Sequence, residues 1–221
     1  MTFFAKSYVD FFKNLAKNNT TAWFDANRAT YEAAVKAPFA AFTTAMIERI
    51  AALDDEVKIT AKDAISRINR DTRFSKDKSP YNTHLSAAIS KYGRKNKEYP
   101  GILFQVSHEG VGIFGGAYAP EPESLAKIRA LIAKDGKGFV KAITGKAFVA
   151  HFGELQGEAI KRIPPELAAA AAKEPRILQK QFFYEAHLPA AAVTSQDLGD
   201  QLLAHWHAAR EVNTFLQRAF G

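Results

Sequence analysis

The sequence predicts an α+β fold, a mainly antiparallel sheet flanked by helices, in a single domain over residues 1–221. Three observations carry this. Apolar residues recur at helical spacing in the first fifty residues and again after Pro120, whereas the stretch between them alternates with a period of two. Strands and helices are therefore grouped instead of interleaved, which argues against a doubly wound parallel sheet. Finally, 221 residues that are 47% apolar and 24% charged suit one sizeable core better than two small ones.

Phe4, Tyr8, Phe11, Phe12 and Leu15 are spaced by three and four, so a first helix runs to about Lys17. Asn18, Asn19 and Thr20 offer N-cap oxygens to a second helix striped by Phe24, Asn27, Tyr31 and Val35. Pro38 lacks a backbone N–H and is expected to break or restart that helix. A third stripe follows with Phe39, Phe42, Met46, Ile50 and Leu53. From Val57 the period changes to two, and residues 57–59 and 66–70 read as short strands. Residues 85–89, 102–106 and 111–118 read as an antiparallel meander, with Ser107, His108, Glu109 and Gly110 as a tight turn. Helical stripes then return at Leu125, Ile128, Leu131 and Ile132, and at Phe139, Ile143, Phe148 and Phe152. Pro164 and Pro165 open an alanine-rich helix that Pro175 closes. A last strand over 182–188 precedes a C-terminal helix with Leu198, Leu202, His205, Ala209, Val212 and Leu216 on one face.

The chain has no cysteine, which excludes a disulfide framework, a thiolate metal site and a cysteine nucleophile. Its start, MTFFAKSYVD, lacks the basic region and apolar run of a signal peptide. The longest apolar stretches, 37–47 and 167–172, fall short of the ~18 residues of a bilayer span. A cytoplasmic location and no membrane partner are the expectation. Gly110, Gly112 and Gly115 spell GxGxxG, but inside an alternating strand instead of at a strand-to-helix turn, so the run marks a bulge or close backbone approach rather than a nucleotide site. His205 and His207 fall on different sides of a helix, one toward the core and one exposed, and no metal site is expected.

The net charge of +7 is concentrated. Between Lys58 and Glu98 stand eleven lysines and arginines against four acids, while the rest of the chain carries 19 of each sign. Within that stretch the segment from Arg67 to His84, RINRDTRFSKDKSPYNTH, is almost entirely hydrogen-bonding and has no apolar period, so it reads as a loop. Arg67, Arg70 and Arg73 supply planar donor forks, Lys76 and Lys78 point charges, and Ser75, Ser79, Tyr81 and Thr83 hydroxyls. Such a set suits a phosphate or carboxylate. Arg70, Arg73, Lys76 and Lys78 would hold an anionic small molecule, with Ser79, Tyr81 and His84 orienting it. For any proton transfer His84 is the best candidate, with Asp71 or Asp77 orienting it. The residues name no cofactor.

Two other readings stand beside this one. Phe74, Tyr81, Tyr92 and Tyr99 interleave with basic residues, including Lys91, Arg94, Lys95 and Lys97, as stacking platforms in a nucleic-acid-binding protein would. Alternatively Asp71 and Asp77 pair with the arginines, making an ion-paired structural loop in a scaffold or interaction protein. Geometry separates them: a small-anion site needs Arg70, Arg73 and Lys78 converging on one concave surface, whereas a brace has each closed by its own partner.

The stretch RDTRFSKDKSPYNTH resembles the signature of the uncharacterised family catalogued as domain of unknown function 2461. Arg70, Asp71, Arg73, Phe74, Ser75, Asp77, Lys78, Ser79, Pro80, Tyr81, Thr83 and His84 carry the likeness; Asn82 stands where similar sequences often have lysine. The likeness extends to Asn18, Asn19, Trp23, Phe24 and Tyr31, and to Gly115, Gly116, Pro120, Pro122, Leu125 and Arg129. It implies membership of a family without an established activity.

Overall fold

The structure, a computed structural model, describes residues 2–220. Along the chain come α1 (Lys6–Lys17), α2 (Thr21–Ala26), α3 (Arg28–Thr30), a π-helical stretch (Tyr31–Lys36), α4 (Ala37–Ala51) and α5 (Ala61–Ala64), then β1 (His84–Ile89), β2 (Ile102–Ser107) and β3 (Gly110–Ala117). After these follow α6 (Pro122–Lys134), α7 (Gly136–Ile143), α8 (Lys146–Phe152), α9 (Ala168–Ala171), β4 (Phe182–Pro189), α10 (Ala190–Val193) and α11 (Leu198–Gln217). The fold is α+β: the strands form one antiparallel sheet in the order β1-β2-β3-β4, with helices before β1, between β3 and β4, and after β4 in the chain. Irregular segments cover its edges. Ile65 bridges to Ala87 beside β1, and Gln156 to Phe183 beside β4, so each edge strand is paired at that point.

The residues gather into two compact units. One takes in the chain up to Lys95, Leu103–Ile113 and His187–Leu203; the other takes in Asn96–Ile102, Phe114–Ala186 and the chain from Ala204 on. In the first, the stripe Tyr8, Phe11, Phe12 and Leu15 of α1 is buried. Phe4, Phe39 and Phe42 join it, and Phe42 meets Phe104 of β2 edge-on at 5.5 Å. The Tyr8 hydroxyl donates to the Val106 carbonyl at 3.1 Å, so its burial, which pushes its pKa upward, is compensated by a hydrogen bond. Thr20 caps α2 by accepting from the Trp23 N–H at 3.2 Å.

Pro38 restarts the helix without interrupting it: α4 opens at Ala37 with the proline in its first turn, and the turn before widens into the π stretch. The proline ring clashes with the carbonyl four residues back, that of Ala34, and a wider turn accommodates it without ending the helix. The short strands expected at 57–59 and 66–70 are not strands. Thr60 and Asp63 form a capping box that starts α5 between them, and residues 65 and 69 pair only as isolated bridges.

In the second unit, Phe139, Phe148, Phe152, Tyr184 and Leu216 are buried. The Tyr184 hydroxyl donates to Asn213 Oδ1 at 3.0 Å, and Asn213 Nδ2 donates to the Gly101 carbonyl at 3.2 Å. The glycine run is strand, as its alternation indicates: a Cβ at Gly115 would collide with the Tyr184 hydroxyl, and Gly116 adopts φ +80° against the Phe182 carbonyl. The Arg129 guanidinium donates to the carbonyls of Ile177 and Gln179, each at 3.0 Å, closing the end of a 3-10 turn. His205 is buried and His207 exposed, as their helical positions imply.

Candidate functional site

The basic segment is a hairpin-like excursion off the edge of β1. Residues 65–70 run antiparallel to 80–87, with Ile65 opposite Ala87 and Asn69 opposite Tyr81. Four positions separate Ile65 from Asn69 but six separate Tyr81 from Ala87, so the 81–87 side carries two extra residues as a bulge next to His84. Backbone bonds from Ser66 N to Ser86 O (2.9 Å), Asn82 N to Ile68 O (2.8 Å) and Arg70 N to Pro80 O (2.9 Å) close the base of the loop.

That base is seated in the first unit's core. Tyr81 is buried, its ring stacked on Phe24 with centroids 4.1 Å apart and planes at 16°. The Asn19 side chain closes on the Tyr81 backbone, donating Nδ2 to its carbonyl at 2.8 Å and accepting from its N–H at 3.1 Å. Asn19 and Phe24 thus both hold Tyr81 at the base of the loop. From the residues alone they read as a cap and a core position; the one signal for a larger part was that they share with the loop the likeness to one family.

The tip is ion-paired within itself. Asp71 accepts from Arg73 Nη2 at 2.6 Å, Nε at 3.0 Å and the backbone N–H at 3.2 Å. These bonds pull the Asp71 carboxyl below the usual range. Asp77 accepts from the Ser79 hydroxyl and, at 2.9 Å, the Ser79 N–H, and pairs with Arg70, which together depress its pKa strongly. Lys78 Nζ donates to the Thr72 carbonyl at 2.9 Å. Each of the three is thus engaged within the loop, Arg70 by Asp77, Arg73 by Asp71 and Lys78 by the Thr72 carbonyl. The two arginines are met by carboxylates seven and two residues away, because a short polar loop brings its own acids close.

The remaining candidates divide in the same way. Lys76 is exposed, Ser79 half-buried, and Tyr81 is committed to the core. His84 is half-buried on β1, and burial pushes its pKa below 6.5. Asp71 and Asp77, engaged with arginines, make no hydrogen bond to His84, so neither orients it. Of the aromatic residues, Tyr99 is half-buried against Phe220 (5.8 Å), whereas Tyr92 is exposed beside Lys91 and Phe74 is 95% exposed with the Arg73 guanidinium 5.8 Å from its ring center. Lys91 pairs with Glu56 and Lys95 with Asp63, each at 3.0 Å, so half of that second basic cluster is neutralised. No carboxylate lies within ion-pair distance of Arg67, Lys76 or Lys78 among the described residues, and no group of three potential metal ligands occurs there.

A family model described as conserved hypothetical protein (DUF2461) matches residues 7–215. The chain belongs to DUF2461. Both the loop and its seat lie inside the span that defines membership in DUF2461. No curated protein matches the chain. No helix among the described residues is long and apolar enough to cross a membrane.

Proposed function

We propose that the loop of residues 67–84 binds a single-stranded nucleic acid, with Phe74 as a stacking platform and Arg67, Lys76 and Lys78 facing phosphates. The observation that carries this reading is Phe74. At 95% exposure it is the most exposed large apolar side chain among the described residues, and it stands at the tip of a loop with five cations against two carboxylates. A ring held in water beside a guanidinium offers a face to a nucleobase, and such stacking is worth about 1–3 kcal/mol per base. The surplus cations supply the sequence-independent attraction to the backbone.

A phosphate-bearing small molecule has less in its favor. The arginine forks it would use are occupied by Asp77 and Asp71, and an exposed phenyl ring contributes nothing to holding a compact anion. A purely structural brace explains the ion pairs and leaves Phe74 without a purpose. The test is fluorescence anisotropy of a labelled oligothymidine at several salt concentrations. Binding is expected to weaken linearly with salt on logarithmic axes, and Phe74→Ala to weaken it by about 5- to 150-fold. Absence of binding, or binding indifferent to Phe74→Ala, overturns the proposal.

A further inference from the structure

We infer that Asn19 is the positioning residue of the binding loop, a side chain that acts as a one-residue strand and fixes the level at which Phe74 and the cations are presented. The inference rests on the nucleic-acid reading for what the loop contacts. The geometry at Tyr81 leads to it. Asn69 and Tyr81 face each other as an antiparallel pair, and the backbone bonds around them run from Arg70 N to Pro80 O and from Asn82 N to Ile68 O. The pair itself exchanges none, so the N–H and C=O of Tyr81 point to the opposite side, where a further strand would lie. No strand is there. The Asn19 amide takes its place, presenting a donor and an acceptor at the spacing of a peptide unit, at 2.8 and 3.1 Å.

Tyr81 is 6% exposed, so its peptide groups have little recourse to water without Asn19. The clamped peptide adjoins Pro80, whose carbonyl holds Arg70, and Ser79, whose N–H holds Asp77. The bonds from Arg70 to Pro80 and from Ser79 to Asp77 are thus built on a backbone that Asn19 immobilises. A loop held in this way loses little further freedom on binding, and preorganisation of that kind acts on affinity without adding a contact.

The experiment uses the full chain with Asn19→Ala and the isosteric Asn19→Leu, which fills the same space without hydrogen bonds. Amide hydrogen exchange is expected to accelerate about tenfold at Arg70 and Asn82 in both variants, with Phe12 in α1 unchanged. Oligothymidine affinity is expected to fall about tenfold with the salt slope unchanged, because no phosphate contact is removed. A cation removal such as Lys76→Ala instead lowers the slope by about 0.7. Unchanged exchange at Arg70 and Asn82 overturns the inference. So does faster exchange with wild-type affinity. If the parent protein binds no oligothymidine, the functional reading fails alone, and the exchange data still decide whether Asn19 holds the loop.

Discussion

The Phe24 ring lies flat against the Tyr81 ring, 4.1 Å between centroids, and the Arg28 guanidinium lies 5.4 Å from the Phe24 centroid. This stack fixes the side chain of the residue whose backbone Asn19 fixes, so the loop has a base that belongs to the core and a tip that does not. Stability and binding should therefore respond to different residues a few positions apart.

Phe24 is 2% exposed, and Phe24→Ala should cost about 3–5 kcal/mol. That corresponds to a fall in melting temperature of roughly 6–20 °C, taking about 2–4 °C per kcal/mol at this size. Phe74→Ala should leave the melting temperature within about 2 °C, since it removes no packing. Thermal denaturation followed by circular dichroism measures both. A large loss for Phe74→Ala would mean the ring is packed after all, and the stacking platform would be lost with it.

The loop acids should stay ionised far into acid. Their folded pKa values lie below 3.8, so whatever stability they contribute is present above that value and is lost only as pH falls through the lowered one. Carboxyl carbon chemical shifts of Asp71 and Asp77 should titrate with midpoints below 3.8, that of Asp77 the lower. Ordinary midpoints would show that the ion pairs do not persist in solution.

Removing one of these carboxylates raises the positive surplus of the loop. Asp77→Asn should steepen the salt dependence of oligothymidine binding by up to about 0.7 on the logarithmic slope. A shallower slope would indicate that freeing Arg70 disorders the tip more than its charge helps.

His84 acts in the same direction, at a higher pH. Burial holds its folded pKa below 6.5, so the unfolded chain takes up the proton first and stability falls as pH drops through 6.5 toward the lowered value. Above 6.5 the imidazole is neutral in both states and contributes no slope. Comparing melting temperatures at neutral and mildly acid pH, His84→Gln should show a smaller acid loss than the parent. An equal loss would assign the effect to other groups.

Gly115→Ala should destabilise by about 1–3 kcal/mol, because the new methyl meets the Tyr184 hydroxyl and the Gly101 carbonyl. Gly136→Ala is the matched control. It lies at the start of α7 with open space around it, and should be neutral or stabilise by up to about 1 kcal/mol. Equal effects would mean that the close approach at Tyr184 relaxes without cost.

Local pattern determined a good part of this protein. The three- and four-residue spacing of Tyr8, Phe11, Phe12 and Leu15 identifies the buried face of α1, since one side of a helix must leave water whatever it packs against. The alternation through Gly110–Ala117 separates the glycine run from a nucleotide-binding turn for the same kind of reason. Where two local rules competed, only the structure decided. Pro38 forbids one hydrogen bond but not a widened turn, and the Thr60–Asp63 cap outweighed the alternation around it. The site divides along the same line. That residues 67–84 form a basic loop follows from composition. That Arg70 and Arg73 turn to Asp77 and Asp71, that Tyr81 leaves the loop for the core and Phe74 stays in water, and that Asn19 meets Tyr81 across 62 positions are matters of which groups come within 3 Å of each other. Burial preference belongs to each residue and can be read along the chain, whereas a hydrogen bond belongs to a pair, and only the folded chain determines its pairs.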